Sequence, residues 1–326
     1  MSQLYPLRFQ PILRRYIWGG RRLGAVLAKP IGPESDYAES WEICDHDADQ
    51  SRVAFGPLKG VALAELVGER GAEVLGRHHP QPRFPLLVKF LDAARTLSVQ
   101  VHPNDTQAAQ RIPPDLGKSE AWVVLAAEPA SAIYAGLRPG IDRQQLDEAV
   151  RAGTCESCLH RFEAAPGDCV YLPAGTVHAL GEGLLIAEIQ QASDVTYRLF
   201  DWNRLGPDGK PRPLHIEQAL EVVDYARGPV NPQTPRPTDR PWAERLVECE
   251  KFLLDRCRLD MPRTLGGDRR CHILCVLEGA VRVDGDPADR PLRLGETMLL
   301  PAAAGEVGIR PEGYAVVLDA YLPGPA

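Results

Sequence analysis

Short apolar runs, each closed by proline or glycine, recur along the chain: LLVKFLDA (86–93), LSVQVH (97–102), AWVVLAA (121–127), SAIYAGL (131–137), DCVYLP (168–173), LLIAEIQQ (184–191) and TYRLFDW (196–202). Runs of this length bounded by turn formers predict strands, and their number predicts a β sandwich or barrel rather than a helical bundle. A helical period is best seen in three places, VALAELVGERGAEVLG (61–76), DRQQLDEAVRAG (142–153) and PLHIEQALEVVDYA (213–226), which predict helices decorating the β framework. Patterning lapses in ARGPVNPQTPRPTDRP (226–241), rich in Pro, Thr and Arg, so a surface linker is expected there. The division that follows is 1–228, a linker at 229–241, and 242–326. Beyond the linker, CHILCVLEGAVRVDG (271–285) and LRLGETMLLPAAAGEVGIR (292–310) again alternate strands with glycine turns and predict a second, smaller β sandwich.

Composition narrows the class. A chain of 326 residues accommodates about two domains, and 44% hydrophobic with 25% charged residues is the balance of a globular protein. No stretch approaches the roughly 18–20 apolar residues that cross a bilayer. The opening MSQLYPLRFQPILRRYIWGG has arginines throughout and no continuous apolar core, so a secretory signal is not expected and a cytoplasmic location is the default. A net charge of −7 without a long basic run argues against nucleic acid or an anionic membrane as partner. Eight cysteines at irregular spacing read as reduced thiols, and CESC (155–158) lacks the second pair that a structural metal site would need.

Chemistry concentrates in three segments. In LSVQVHPND, Gln100 and His102 stand at i and i+2 and share one face of a strand that ends at a rim. The pair supplies half of a metal site at most, and a lone strand histidine is more often hydrogen-bonded in a core than a metal ligand. GKSEAWVVL adds Lys118 and Glu120 at the same spacing, which by themselves also read as a solvated strand end. GDCVYLPAGTVHAL (167–180) has the form G-x5-P-x-G-x2-H, bending one strand into the next through Pro173 and Gly175 and delivering His178. This form resembles the second motif of the cupin barrels. The resemblance implies a metal held by His102, Glu120 and His178, with Gln100 where many cupins have a further histidine.

QVHP, then KSE, PAGTVHAL and QQASDVTYRLFDW, resemble in order the type I mannose-6-phosphate isomerases, also called phosphomannose isomerases. YIWGGRRLG (16–24), ESWEICDH (39–46) and GKPRPLHIEQAL (209–220) are similar to further signatures of that family, so the likeness runs from about residue 8 to 220. It implies a mainly β fold: a cupin (double-stranded β-helix, or jelly-roll) catalytic domain with a few helices, plus a smaller cupin-like domain. The stretch between Glu120 and His178 is too short for the helical insertion of the longer members, which makes this the short bacterial form. GETMLLPAAAG keeps Gly295 and Pro301 of the second motif but has alanines and Gly305 where a ligand histidine would come, so the C-terminal unit is expected to be metal-free.

The implied reaction interconverts mannose 6-phosphate and fructose 6-phosphate, moving hydrogen between C1 and C2 through an ene-diolate that a divalent metal stabilises. Zinc is the expected ion, one per chain, although a mixed N/O set also accepts other divalent metals. Glu188 and Arg198 match family active-site positions: Glu188 as the base, or else a rim carboxylate, and Arg198 as the fork for phosphate or oxyanion, or else an ion pair with Asp194 or Asp201. Lys118 is a second candidate for the anion. The expected partner is a small sugar phosphate, and the chain a monomer or weak homo-oligomer. Two rival classes share the ligand set: a cupin oxygenase using iron, and a non-catalytic sugar-binding cupin. Lys118 and Arg198 count against the oxygenase, which has no need of a charged grip on phosphate.

Overall fold

The computed structural model describes residues 4–206 and 209–324. Two antiparallel sheets built from residues 12–200 face each other. The larger has the strand order Ile12–Gly20, Tyr37–Ile43, Leu86–Ala93, Leu184–Gln191, Glu120–Ala127, Cys169–Leu172. The smaller runs Tyr197–Phe200, Val99–Val101, His178–Leu180, Ala132–Leu137, Leu159–Glu163. Side chains such as Trp18, Leu91, Leu97, Trp122, Ile133, Ala135 and Ile186 fill the space between them. Helices Leu63–Leu75, Arg143–Arg151 and Ile216–Val222 form where the sequence predicts them. Asp142 caps the second, accepting from the Gln145 amide at 2.8 Å.

Leu86–Ala93 and Leu184–Gln191 are buried at every position. A strand reads as a continuous apolar run when both of its faces are covered. One face looks into the barrel. The other, with Val88, Phe90, Ala187 and Ile189, packs on Leu254, Ile273, Cys275, Leu318 and Ala320 of a third sheet. That sheet has the order Arg236–Pro237, Ala243–Glu248, Leu253–Leu259, Ala315–Tyr321, His272–Glu278, Thr297–Leu300, and its far side packs on a four-stranded fourth sheet. The fold is therefore mainly β, with two sandwiches back to back along one apolar seam. Residues 226–235 run along the outside, tied by single hydrogen bonds such as Val230 N to Ala135 O (3.0 Å) and Gln233 N to Cys169 O (2.7 Å), before Arg236–Pro237 join the third sheet and Arg240 pairs with Asp255 and Asp319.

The third sheet repeats the first. In the first, Glu120 opens its strand opposite Gln190 and Leu172, and Glu188 pairs with Lys89. In the third, His272 opens its strand opposite Tyr321 and Leu300, and Asp319 pairs with Asp255. His272 thus stands where the first unit has Glu120, and Asp319 where it has Glu188. The His272 imidazole lies between Asp319 (2.8 Å) and Asp268 (3.2 Å), while Arg240 and Arg245 neutralise Asp255. Burial opposes a charge on His272, but Asp319 and Asp268 outweigh it and push its pKa up to about 9. A folded-state pKa above the unfolded one gives stability that is complete below about pH 6.5 and lost as pH rises through 9. Thermal unfolding of the wild type should weaken across that window relative to His272→Gln, and parallel curves for the two proteins would contradict it.

Candidate metal centre and substrate cavity

His178 reaches the barrel interior through the turn that follows Cys169–Leu172. Gly175 has φ +86°, and a Cβ there would crowd the Val222 carbonyl at 3.1 Å, so glycine is the residue that turns the chain here. Its amide donates to the His102 carbonyl at 2.8 Å, which ties the two histidine-bearing segments together. In the smaller sheet His178 and Arg198 both pair with Gln100, so the row Arg198, Gln100, His178 crosses three strands on one face. His102 follows Gln100 by two residues and shares that face. Glu120 comes from the opposite sheet.

The ligand atoms of His102, Glu120 and His178 all lie within 4.8 Å of one another, on residues that are 2%, 1% and 1% exposed. His102 Nδ1 donates to the Val195 carbonyl at 2.8 Å and His178 Nδ1 to the Thr176 carbonyl at 2.9 Å, which fixes each tautomer with the Nε2 lone pair facing inward. Burial first, and the nearby Lys118 ammonium as well, keep both rings neutral: the His178 pKa falls to about 4, and that of His102 is well below its ordinary value. His178 Nε2 then faces Glu120 Oε1 at 3.2 Å, and neither atom has a hydrogen-bond partner. Two buried acceptors aimed at each other without a proton between them form a donor set for a cation.

Lys118 supplies a positive charge of its own. Its Nζ lies 2.9 Å from Glu120 Oε2, 3.1 Å from His102 Nε2 and 3.7 Å from Glu188 Oε1. Burial opposes the charge, but Glu120 and Glu188 hold its pKa above the usual lysine range. Glu188 is raised instead, by burial and then by Glu120, the direction that suits a group exchanging a proton near neutrality. Arg198 donates to Ser98 Oγ (3.3 Å) and the Pro213 carbonyl (2.9 Å). Asp201 is taken by Arg204 and Arg212 rather than by Arg198. The Arg198 guanidinium is therefore held by neutral acceptors.

Lys89 belongs to this group although the sequence reading passed over it. It is 3% exposed, pairs with Glu188 across the strands, sits 3.6 Å from Glu39 and lies over the Trp41 ring at 4.6 Å. Trp41 Nε1 in turn donates to Glu39 at 2.6 Å. A single lysine inside LLVKFLDA, flanked by core residues, was the available signal. CESC, by contrast, lies in a short 3-10 turn whose cysteines pack in an apolar cluster with Val101 and Ala179, on the face of the smaller sheet turned away from the histidine side chains. Cys155 and Cys158 are both buried free thiols, and burial pushes Cys155 up to about 12. Cys155→Ala and Cys158→Ala should leave metal content, measured by atomic absorption, unchanged.

A closed two-sheet barrel that gathers two histidines and a glutamate from its inner faces defines the cupin class. Comparison with known proteins places the chain within it. Residues 6–129 match the family described as phosphomannose isomerase type I, catalytic domain. Mannose-6-phosphate isomerase ManA of Bacillus subtilis is 35% identical over 97% of this chain and 99% of that protein. The mannose-6-phosphate isomerase of Streptococcus mutans is 34% identical over 91% and 92%. A crystal structure of the Bacillus subtilis mannose 6-phosphate isomerase superposes with a TM-score of 0.88 at 31% identity, covering 98% of this chain and all of that one. A putative mannosephosphate isomerase from Archaeoglobus fulgidus shares the fold, with a TM-score of 0.79 at 24% identity. The chain belongs to the type I phosphomannose isomerase family and is an enzyme of that family, an isomerase of sugar phosphates. Among the described residues no helix is long and apolar enough to cross a membrane.

Proposed function

We propose that the protein interconverts mannose 6-phosphate and fructose 6-phosphate, and that His102, Glu120 and His178, with Gln100 beside them, hold one divalent metal, zinc by the chemistry of the donors. The observation that carries the metal is the pair of buried acceptors, His178 Nε2 and Glu120 Oε1, facing each other with no proton between them. A metal bound there supplies Lewis-acid polarisation of the sugar's carbonyl and neighbouring hydroxyl, which makes the C–H between them acidic enough to lose its proton.

The chain's own groups do the rest. Glu188, buried and with its pKa raised, takes the proton from one carbon and returns it to the other. Lys118 and Lys89 flank it, at 3.7 Å and across the strand pair, and offset charge that develops on the sugar oxygens. Arg198 holds the anionic end or the developing oxyanion with its planar fork. The wall of Trp41 and Trp122, each 1% exposed, keeps water from the reacting carbons. The concentration of cations around a buried carboxylate favours a phosphorylated substrate over the oxygenase reading.

We further propose that 1–228 form the catalytic unit, 229–241 a linker, and 242–326 a unit that backs the catalytic sheet. The deciding experiment is a coupled assay with mannose 6-phosphate before and after chelation, followed by zinc, manganese and cobalt add-back. Activity should vanish on chelation and return with metal. Full turnover in a preparation free of metal would refute the metal assignment.

A further inference from the structure

Gln190 is wholly buried, stands two residues after Glu188 on the same strand face, and pairs directly with Glu120. Its amide is oriented without ambiguity. Nε2 donates to the Gln191 carbonyl at 2.9 Å and to the Ser193 carbonyl at 2.6 Å, and two acceptors can be met only by the nitrogen. Oε1 is therefore at the opposite end, and it is sealed from solvent without any hydrogen-bond partner. The polar side chains near it on this face are charged: Glu120, Glu188, Lys118 and Lys89. Gln190 contributes a neutral acceptor whose position is set by its own backbone turn.

Resting on the function proposed above, we propose that Gln190 is a substrate-positioning residue whose Oε1 accepts a hydrogen bond from a sugar hydroxyl beyond the reacting C1–C2 pair. An amide oxygen has nothing to offer a phosphate, which is all acceptors at its charged edge, so its partner is a donor. A sugar phosphate anchored at the reacting end by the Glu120 side and at the other by a cation must carry its O3 and O4 hydroxyls across the intervening strand face. A buried acceptor left unpaired in the free enzyme gains its partner only when such a hydroxyl arrives, which is how a site rejects analogues lacking it. The nitrogen end has a separate duty, because it holds the turn that leads to Val195, whose carbonyl orients His102.

That double duty decides the form of the test. Steady-state kcat/KM is measured for wild type and Gln190→Met with mannose 6-phosphate and with its 3-deoxy and 4-deoxy analogues, alongside metal content. One analogue should cost the wild type about tenfold, the typical effect of one neutral hydrogen bond. In Gln190→Met, mannose 6-phosphate should fall by a similar factor while that same analogue brings no further loss, the non-additivity expected of a direct contact. Gln190→Asn keeps the amide but withdraws it by one methylene, and should show the same selective pattern if the methionine variant does not fold. Additive losses with both analogues, loss of metal in both variants, or full wild-type activity on both analogues would each overturn the proposal. Absence of any wild-type turnover of mannose 6-phosphate would instead overturn the function on which it rests.

Discussion

Alanine at His102 or at His178 is expected to remove metal and isomerase activity together while leaving the fold in place. Each ring contributes one of three ligand atoms gathered within 4.8 Å, and each is locked in its tautomer by a backbone carbonyl. Loss of an outer hydrogen-bond partner alone typically costs 10–100-fold in metal affinity, and loss of the ligand itself costs more. Lys118 makes the effect steeper. Its ammonium already lies 2.9 Å from Glu120, so with one imidazole gone the carboxylate is better satisfied by the lysine than by an ion that has lost one of its strong ligands. Metal analysis of purified variants, with thermal unfolding as a control for folding, reads this directly. A His178→Ala protein carrying one equivalent of metal at wild-type affinity would show that these residues do not form the centre.

Arg198→Ala should lower kcat by roughly 10² to 10³, the range for removing one preorganised donor from a developing charge. If the guanidinium held only ground-state phosphate, KM would rise and kcat would stay, because binding common to ground and transition states was lost. Geometry favours the first outcome. Arg198 lies in the same cross-strand row as Gln100 and His178, beside the candidate metal ligands, and its hydrogen bonds go to Ser98 and the Pro213 carbonyl while Asp201 is paired with Arg204 and Arg212. Lysine at 198 should rescue poorly, since a point charge cannot reproduce a fork already held at two corners by Ser98 and Pro213. Near-normal kcat in Arg198→Ala with metal bound would take this arginine out of the chemistry.

Leu86–Ala93 and Leu184–Gln191 were readable to the residue because a strand covered on both faces is largely apolar, here interrupted by Lys89 and Asp92 in one and by Glu188, Gln190 and Gln191 in the other. Ile12–Gly20 and Tyr37–Ile43 were not read as strands. They carry Arg14, Arg15, Glu39 and Glu42 among their aromatics, and that mixture has no clean two-residue period. The cluster of His102, Glu120 and His178 was legible because three short motifs occur in order with their spacings. Lys89 was not, since a lysine in a strand reads as a solvated position until the register shows Glu188 opposite it. The seam between the sandwiches was equally hidden. Ala187 and Ile189 look like ordinary core residues, and nothing local says that their core is shared with Leu318 and Ala320, more than a hundred positions away.

The seam also separates covalent connection from mechanical connection. The strand that carries Glu188 on its inner face turns its alternate residues, Ala187 and Ile189, onto the third sheet. The proposed linker at 229–241 adds the short strand Arg236–Pro237 and the ion pairs of Arg240 with Asp255 and Asp319 to that attachment, but the apolar seam is the larger contact. A protease that nicks the exposed linker should leave a two-piece enzyme that stays together and still turns over, whereas a gene ending at 241 should yield a protein whose bare aliphatic wall drives it into aggregates. On the proposed division the C-terminal third is a tethered subunit, and heating that melts it should end catalysis at the other face of the shared wall.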